Sequence, residues 1–254
     1  MTTDFTFQDR ADKKKYVERM FGQIARRYDF FNHFLSVGFD YSWRRRAIQV
    51  LRSRFPNSPT SAGGGGRGVD SPAILDIACG TGDLAFESLT QMPGAQITGM
   101  DLAQPMLDLF AQKAAEKHLT ITIEKGDVEA LHYADNSFDG ATIGFGTRNF
   151  TDLLIAFTEI HRVLKPGGVF VNLELAKPRA FPMKQLYRFY FDSLLPLVGT
   201  LFSRHNSAYK YLPDSLRKFP DLEALGEIMT KAGFREVKWE TRTAGIVAIH
   251  SAIK

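Results

Sequence analysis

Two glycines between an apolar strand and a helix mark the place in this chain where a ligand can approach the backbone closely. Gly80 and Gly82 follow the run Ala73-Ile-Leu-Asp-Ile-Ala-Cys, and because they lack a Cβ atom they permit a sharp turn. The helix that begins after them directs free N–H groups and the positive end of its dipole at the ligand. Asp101 comes about 20 residues later, at the end of the next apolar run, where a carboxylate can hold ribose hydroxyls. The spacing predicts a nucleoside-cofactor site at the edge of a parallel sheet.

The charge of this loop decides between two classes of cofactor. The segment Gly80-Thr-Gly82-Asp-Leu-Ala85 also fits the dinucleotide fingerprint G-x-G-x-x-G/A. Asp76 and Asp83 flank the loop, which contains no Lys or Arg, so a diphosphate bound there meets two carboxylates. S-adenosylmethionine brings an ammonium and a sulfonium group, which suit such a pocket. We therefore expect S-adenosylmethionine, and a nicotinamide-dependent reductase is the disfavoured alternative.

Alternating strands and helices after the loop predict an α/β fold. We expect strands near residues 73–78, 96–101, 120–124, 138–144 and 168–175, helices near 82–91, 104–117 and 152–163, and a final hairpin over 237–241 and 247–253. Such alternation implies parallel strands joined by right-handed crossovers, with ligands at their carboxyl ends. Asp127 and Val128 follow the third strand, where an acid can accept from an adenine amino group, and Gly144 ends the fourth strand.

The chain before the first strand has a helical pattern. We expect an N-terminal helical cap over residues 1–56, with one helix over about 10–27 and a second helix capped by Asp40. Residues 57–72 are rich in Gly, Ser and Pro, which predicts a flexible connection. Residues 73–254 form the main domain.

A helical insertion over about 177–211 contains the aromatic-rich segment 181–202. Charged residues and prolines interrupt this segment, so it does not fit a membrane span of about 20 nearly uncharged residues. Two interpretations remain open. The segment forms either a pair of helices that cover the cofactor cleft or an apolar surface that receives a lipid tail or touches a membrane.

The composition excludes several classes of protein. At 254 residues and 44% hydrophobic content, the chain is long enough for one sizeable domain with additions. A single cysteine, Cys79, excludes an intrachain disulfide and favours a cytoplasmic protein. The net charge of +4 and the absence of metal-ligand spacing among the histidines lead us to expect no nucleic acid and no metal. Association with the inner face of the membrane and a homodimer both remain open.

Five separated segments, in order, resemble the ubiquinone/menaquinone biosynthesis C-methyltransferases. They are residues 28–36 with 43–45, 75–83, 144–152, 162–168 with Glu174, and 209–220. The resemblance implies the class I S-adenosylmethionine-dependent methyltransferase fold, Rossmann-like, with a seven-stranded, mostly parallel sheet and a C-terminal antiparallel hairpin. Departures from the family pattern occur at Asp40, where the family usually has His, at Gly144, where it usually has Ser, and at Ala176, where it usually has Ser.

The resemblance also assigns residues to the methyl donor and implies a reaction. Thr81, Asp101, Asp127 and Val128 are expected to contact the donor, together with Gly80, Gly82 and Gly144 at the turns. The implied reaction transfers a methyl group from S-adenosylmethionine to a ring carbon of a prenylated quinol, and the Ala-Cys-Gly-Thr-Gly form of the loop favours demethylmenaquinol. The alternatives are C-methylation of a methoxybenzoquinol in ubiquinone biosynthesis, O- or N-methylation of a small molecule, and cofactor binding without catalysis.

Three residues are candidates for the chemistry. Arg148 can stabilise a phenolate, Asn149 can orient the ring or a water, and Asp29 can serve as the base that removes a phenolic proton. The competing structural interpretations are an ion pair between Arg148 and Asp152 and helix capping by Asp29 and Asn32.

Overall fold

The computed structural model describes residue 5 and residues 7–55, 71–189 and 207–254. Its centre is a seven-stranded sheet with the order β3-β2-β1-β4-β5-β7-β6. The strands are β1 (Ala73–Ile77), β2 (Gln96–Asp101), β3 (Thr122–Lys125), β4 (Phe138–Gly144), β5 (Leu164–Leu175), β6 (Arg235–Arg242) and β7 (Val247–Ile253). All neighbours from β3 to β5 are parallel, whereas β7 is antiparallel to both β5 and β6. The predicted fold class and C-terminal hairpin are confirmed.

Helices cover both faces of the sheet. They are α1 (Arg10–Leu35), α2 (Phe39–Arg52), α3 (Asp83–Gln91), α4 (Gln104–Glu116), α5 (Leu153–Val163), α6 (Met183–Phe189), α7 (Ser207–Lys218) and α8 (Leu222–Lys231). One face packs against α5 and α8, and the other packs against α2, α3 and α4. Both core layers are fully buried, with Phe157 on the first face and Ile48 and Phe110 on the second at 0% exposure.

The order of the strands places a crevice above β1 and β4. After β1 the chain goes to β2 on one side, and later to β4 on the other side. A ligand site is expected at the carboxyl ends of the strands where the direction of winding reverses in this way. The residues that follow β1, β2, β3 and β4 therefore converge at one edge of the sheet, as the sequence predicts.

Two predictions about the N-terminal helices are wrong. The first helix does not end near Arg27: α1 continues to Leu35, so Asp29 and Asn32 lie inside a helix and cap nothing. The sequence concealed this last part of α1 because Phe34 is 57% exposed and follows no core-facing period. Asp40 is not the cap of α2 either, because the N-cap is Gly38 in the left-handed conformation and Asp40 lies in the first turn.

The other boundaries are close to those predicted, with one exception. We expected β5 to begin at Gly168, after a turn, but Leu164 already pairs with Phe138 ahead of an irregularity in the register. Most of the predicted connection over 57–72 and the centre of the insertion over 177–211 lie outside the described residues. The division into cap, connection and main domain therefore remains a prediction.

Candidate active site

The loop after β1 carries the two glycines, and they do different things. Gly80 lines a cleft of about 720 Å³, including its open mouth, at the carboxyl edge of the sheet. Gly82 does not line this cleft. It is the N-cap of α3 with a φ of 88°, and a Cβ atom there would overlap the ring of Phe110. Gly82 is thus required by the packing of α4 against the loop.

Asp101 joins the loop to the end of β2. One carboxylate oxygen accepts from the backbone N–H of Gly80 at 2.9 Å, and the other accepts from the N–H of Ala103 at 2.9 Å. Burial raises the pKa of this carboxyl, and the backbone N–H groups oppose that shift. The N–H of Leu102 also bonds this carboxylate. Because a carboxylate offers about four lone-pair sites, Asp101, which lines the cleft, can still accept from a ribose hydroxyl.

Asp127 is held by α1. Its Oδ1 accepts from the N–H of Glu129 at 2.9 Å, and its Oδ2 lies 2.6 Å from Nζ of Lys14. Lys14 also pairs with Glu129 at 3.0 Å. Val128 and Gly144 line the same cleft. The structure therefore brings together Gly80, Asp101, Asp127, Val128 and Gly144, and it adds Lys14, which sequence reasoning missed because α1 lies more than 100 positions away.

Thr81 belongs to a polar network beside the cleft. Its hydroxyl donates to Asp29 Oδ1 at 2.6 Å and accepts from Nζ of Lys113 at 3.0 Å. Lys113 also pairs with Asp29 at 2.7 Å and with Asp83 at 2.9 Å. Burial tends to lower the pKa of Lys113, but Asp83 and Asp29 outweigh it and raise that pKa.

The acids beside the loop are therefore not free to act as a negative site. Lys113 and Arg44 neutralise Asp83, and Asp76 is buried and accepts from the Thr142 hydroxyl at 2.9 Å. The charge of the loop alone does not exclude a diphosphate, because Lys113 on α4 and Arg44 on α2 neutralise Asp83. The loop and its neighbouring residues contain no Lys or Arg, so the sequence carries no sign that Asp83 is neutralised.

A second and larger pocket opens beside the cofactor cleft. It has a volume of about 1430 Å³, including its open mouth, and Phe145 lines both cavities. Its walls are mostly apolar and come from the corner between α1 and α2, from α6 and from α7. They include Leu35, Val37, Trp43, Leu186 and Leu212. We call this cavity the acceptor pocket.

Arg148 lies in the wall of the acceptor pocket. Its Nη1 donates to Glu174 Oε1 at 2.6 Å and to the carbonyl oxygen of Phe145 at 2.6 Å. The competing interpretation, an ion pair between Arg148 and Asp152, is wrong, because Asp152 caps α5 and pairs with Arg10. Burial opposes the charge of Arg148, but Glu174 outweighs it and raises the pKa of the guanidinium. The pair is nearly inaccessible, with side-chain exposures of 9% and 2%.

Asn149 and Asp29 occupy different places from Arg148. Asn149 lines the cofactor cleft, and its buried side-chain oxygen has no hydrogen-bond partner among the described residues. Such an orphaned acceptor fits a ligand that brings N–H donors, as S-adenosylmethionine does. Asp29 faces Thr81 and Lys113 and is not among the residues that line the acceptor pocket.

Within the described residues, no group of three or more His, Cys, Asp or Glu side chains is arranged to hold a metal ion. No helix in the same part of the chain combines the length and the apolar character needed to cross a membrane.

A family model described as the ubiE/COQ5 methyltransferase family matches residues 9–254. A demethylmenaquinone methyltransferase from Thermus thermophilus is 42% identical over 231 residues, covering 91% of this chain and 98% of that protein. A protein of the same name from Bacteroides fragilis is 37% identical over 98% of this chain and 96% of its own length. A ubiquinone/menaquinone biosynthesis C-methyltransferase UbiE from Geobacter sp. is 40% identical over 96% and 98%.

Solved structures share the fold at much lower identity. A possible histamine N-methyltransferase from Thermotoga maritima has a TM-score of 0.62 at 18% identity and covers 93% of this chain and 99% of that chain. The [4+2]-cyclase SpnF has a TM-score of 0.58 at 22% identity, covering 83% and 80%. A cyclase and a methyltransferase on one fold show that the chemistry must be argued from the site.

Proposed function

Because this chain belongs to the ubiE/COQ5 methyltransferase family, we propose that it transfers the methyl group of S-adenosylmethionine to a ring carbon of demethylmenaquinol, giving menaquinol. The observation that carries the proposal is Phe145, which lines both the cleft that contains Asp101 and Asp127 and the large apolar pocket. Two substrates in these cavities meet at one shared wall. An apolar pocket of this size suits a quinol ring with the start of a prenyl tail.

Residues at the edge of the sheet would hold the cofactor. Asp101 would accept from the ribose hydroxyls. Asp127 would accept from the adenine amino group once the Lys14 side chain moves away from it. The side-chain oxygen of Asn149, which has no partner among the described residues, would accept from the ammonium group. When bound there, S-adenosylmethionine supplies a methyl group made electrophilic by a cationic sulfur. Thr81 would act through its hydrogen bonds to Asp29 and Lys113, which fix the loop.

Arg148 would activate the acceptor. A ring carbon becomes nucleophilic when an adjacent hydroxyl loses its proton, and a free phenol titrates near pH ~10. A buried cation beside that oxygen stabilises the phenolate and so favours deprotonation at neutral pH. The Nε–H of Arg148 is buried without a partner among the described residues, and the Arg148 residue lines the pocket. A ring hydrogen is replaced by methyl, and one proton is released.

For Asp29 we propose a positioning role. Its carboxylate already accepts from the Thr81 hydroxyl and pairs with Lys113. A base that removes the phenolic proton needs to come within hydrogen-bond reach of the acceptor, and Asp29 faces the cofactor loop. We therefore assign to Asp29 the orientation of Thr81 in preference to the proton removal that the sequence led us to expect.

The decisive experiment offers the purified protein four acceptors. They are demethylmenaquinol and a methoxybenzoquinol, each with a short prenyl chain and each also supplied in its oxidised form, with S-adenosylmethionine labelled in the methyl group. We expect one labelled methyl on carbon of the reduced naphthalene ring, and none on either oxidised ring. Methylation of the benzoquinol alone would favour the ubiquinone alternative. Two relatives are named ubiquinone/menaquinone biosynthesis C-methyltransferase UbiE, a name that covers both pathways. Label on oxygen or nitrogen of a small molecule would overturn the proposal.

An exposed apolar surface lies on and next to the helices that line the acceptor pocket. It comprises Phe30, Phe34, Val37 and Phe39 at the corner between α1 and α2, and Phe181 and Leu186 near α6. Val37 and Phe181 are each 82% exposed, and Val37, Phe39 and Leu186 also line the pocket. We propose that this surface, which we call the apolar rim, rests on a membrane so that a prenyl tail passes from the lipid into the pocket.

The apolar rim modifies the expectation that residues 181–202 alone touch the membrane. The apolar rim also includes the corner between α1 and α2. Residues 190–206 of the predicted segment lie outside the described part of the chain. We propose a cytoplasmic protein that acts at the inner face of the membrane. Formation of a homodimer through the apolar rim is the competing proposal, and the vesicle experiment in the Discussion separates the two.

A further inference from the structure

Asp40 is the one carboxylate among the described residues that line the acceptor pocket. The side chain is buried, with an exposure of 3%. The pocket is otherwise apolar apart from a few hydroxyl and amide groups and two guanidinium groups, those of Arg44 and Arg148. A buried acid in an apolar substrate pocket costs free energy unless its oxygens are hydrogen-bonded. Its partners therefore decide what it can do for a ligand.

The Asp40 carboxylate is held by three neighbours. Its Oδ1 accepts from the Ser36 hydroxyl at 2.7 Å. Its Oδ2 lies 2.7 Å from Nδ1 of His33 and also accepts from Nη1 of Arg44. Burial favours the neutral acid, but Ser36, Arg44 and His33 outweigh it, so the pKa of Asp40 lies below its ordinary value. The group is an anion at neutral pH.

One acceptor position of this carboxylate remains open. An ionised carboxylate offers about four lone-pair sites, and the three neighbours occupy one on Oδ1 and two on Oδ2. The remaining lone pair belongs to Oδ1, in a side chain that lines the pocket. It can accept one hydrogen bond from a ligand and can donate none.

We propose that Asp40 makes the acceptor pocket selective for the reduced ring by accepting a hydrogen bond from one quinol hydroxyl. This inference rests on the proposed function and adds a residue that reads the redox state of the acceptor. A quinol carries two O–H donors, whereas the quinone carries only carbonyl acceptors. A quinone oxygen placed against Asp40 therefore brings two acceptors together and leaves the carboxylate without its fourth partner.

The two arginines do not provide this selectivity. A guanidinium donates equally to a quinol oxygen and to a quinone carbonyl, so Arg44 and Arg148 bind either form. Arg44 is also committed to Asp40 and to Asp83, the latter at 3.3 Å, and lies over the ring of Phe145 at 5.8 Å. Rejecting the oxidised ring is useful because its carbons are electron-poor and accept no methyl cation.

The first test uses the unmodified protein and ligands that share one ring system and differ in the number and position of their O–H groups. The probes are a 1,4-naphthoquinol with one prenyl unit, its quinone, and its two monomethyl ethers, with S-adenosylhomocysteine present and oxygen excluded. We expect calorimetry to show the quinol binding at least about tenfold more tightly than the quinone, which corresponds to about 1.4 kcal/mol. One of the two ethers should lose as much affinity as the quinone does. Equal affinity for quinol and quinone would refute the inference.

The second test changes the carboxylate. In Asp40→Asn the side-chain amide can donate to a carbonyl, so quinone affinity should rise and the quinol preference should fall below about threefold. Ser36→Ala disturbs the same hydrogen-bond network but keeps the carboxylate, and it should keep the preference. An unchanged preference in Asp40→Asn would refute the role of Asp40. If that variant does not fold, the comparison of the two ethers decides the question.

Failure here is distinguishable from failure of the proposed function. A protein that methylates the quinol but binds quinone equally well loses only the Asp40 inference. A protein that transfers no methyl group to any quinol loses both.

Discussion

The cofactor cleft and the acceptor pocket are built in different ways. The cleft lies at the ends of parallel strands: Gly80 and Asp127 closely follow β1 and β3, Asp101 ends β2, and its carboxylate accepts from the Gly80 N–H. The acceptor pocket is lined mainly by α1, α2, α6 and α7, with contributions from the segment after β4, from Leu175 at the end of β5 and from Thr243 and Ile246. Side-chain packing and two buried ion pairs, Arg44–Asp40 and Arg148–Glu174, hold its polar wall. Changes in the pocket should therefore alter catalysis and leave donor binding intact.

The largest expected effect tests that separation at Arg148. Arg148→Ala removes the buried cation beside the acceptor, and we expect turnover on the quinol to fall about 100- to 1000-fold. Calorimetry with S-adenosylhomocysteine should give nearly the wild-type affinity. Arg10→Ala is the matched control, because that exposed arginine pairs with Asp152 at the surface and should change neither quantity. Because Glu174 loses its partner, a melting curve must accompany the assay. Wild-type turnover would remove Arg148 from the mechanism.

Gly82 tests whether the rigidity of the cleft comes from packing. Gly82→Ala places a methyl group into the ring of Phe110 at a positive φ, and we expect the free energy of unfolding to fall by about 2–4 kcal/mol. Gly167→Ala is the control, since Gly167 also has a positive φ but has no atom near the new Cβ. That variant should lose about 1–2 kcal/mol. If chemical denaturation showed equal losses in the free energy of unfolding for the two variants, contact with Phe110 would not be the reason that this position requires Gly82.

The buried carboxyl of Asp76 in β1 should make stability depend on pH. Burial raises the pKa of this carboxyl from 3.8 to about 7. Between these values the folded state binds more protons than the unfolded state, so Asp76 lowers the free energy of unfolding as pH rises. Asp76→Asn removes this loss and should be about 1–3 kcal/mol more stable than wild type at pH 8, with little difference at pH 4. A difference that does not change with pH would contradict this assignment.

The smallest effect concerns the apolar rim. Phe34→Ser combined with Phe181→Ser leaves the pocket lining intact and should weaken binding to vesicles about tenfold. Turnover on a short-chain quinol in solution should stay at the wild-type value. Leu154→Ser is the control, because Leu154 is 44% exposed on α5, outside the rim. A lower mass in sedimentation, with vesicle binding unchanged, would instead identify the rim as a dimer interface.

Sequence reasoning placed Gly80, Asp101 and Asp127 at one cleft, as the structure has them, because their signals are local. A glycine turn, an acid after β2 and an acid after β3 each follow a strand directly, and parallel strands bring these positions to one edge. The neutralising cations Lys14 and Lys113 were missed because each lies on a helix distant in sequence from the acid it pairs with. Only the folded chain brings such partners within 3 Å.

The acceptor pocket was less predictable for a related reason. Arg148 could be placed at the edge of the sheet from its position after β4, but its partner could not, since the sequence suggested only the one-turn pair with Asp152 and the observed partner is Glu174. Asp29 was given a place in the chemistry because the end of α1 was set too early. Once α1 is continuous, helical geometry turns Asp29 toward Thr81.

The continuity of α1 also links the two cavities mechanically. This helix has 26 residues and is about 39 Å long. Lys14 and Tyr28 border the donor site, and Asn32 and Leu35 border the acceptor site. Because α1 lines both cavities, we expect a movement of this helix at one cavity to reach the other. If both substrates bind as proposed, we expect exit of the spent donor and entry of the next acceptor to be coupled through this helix.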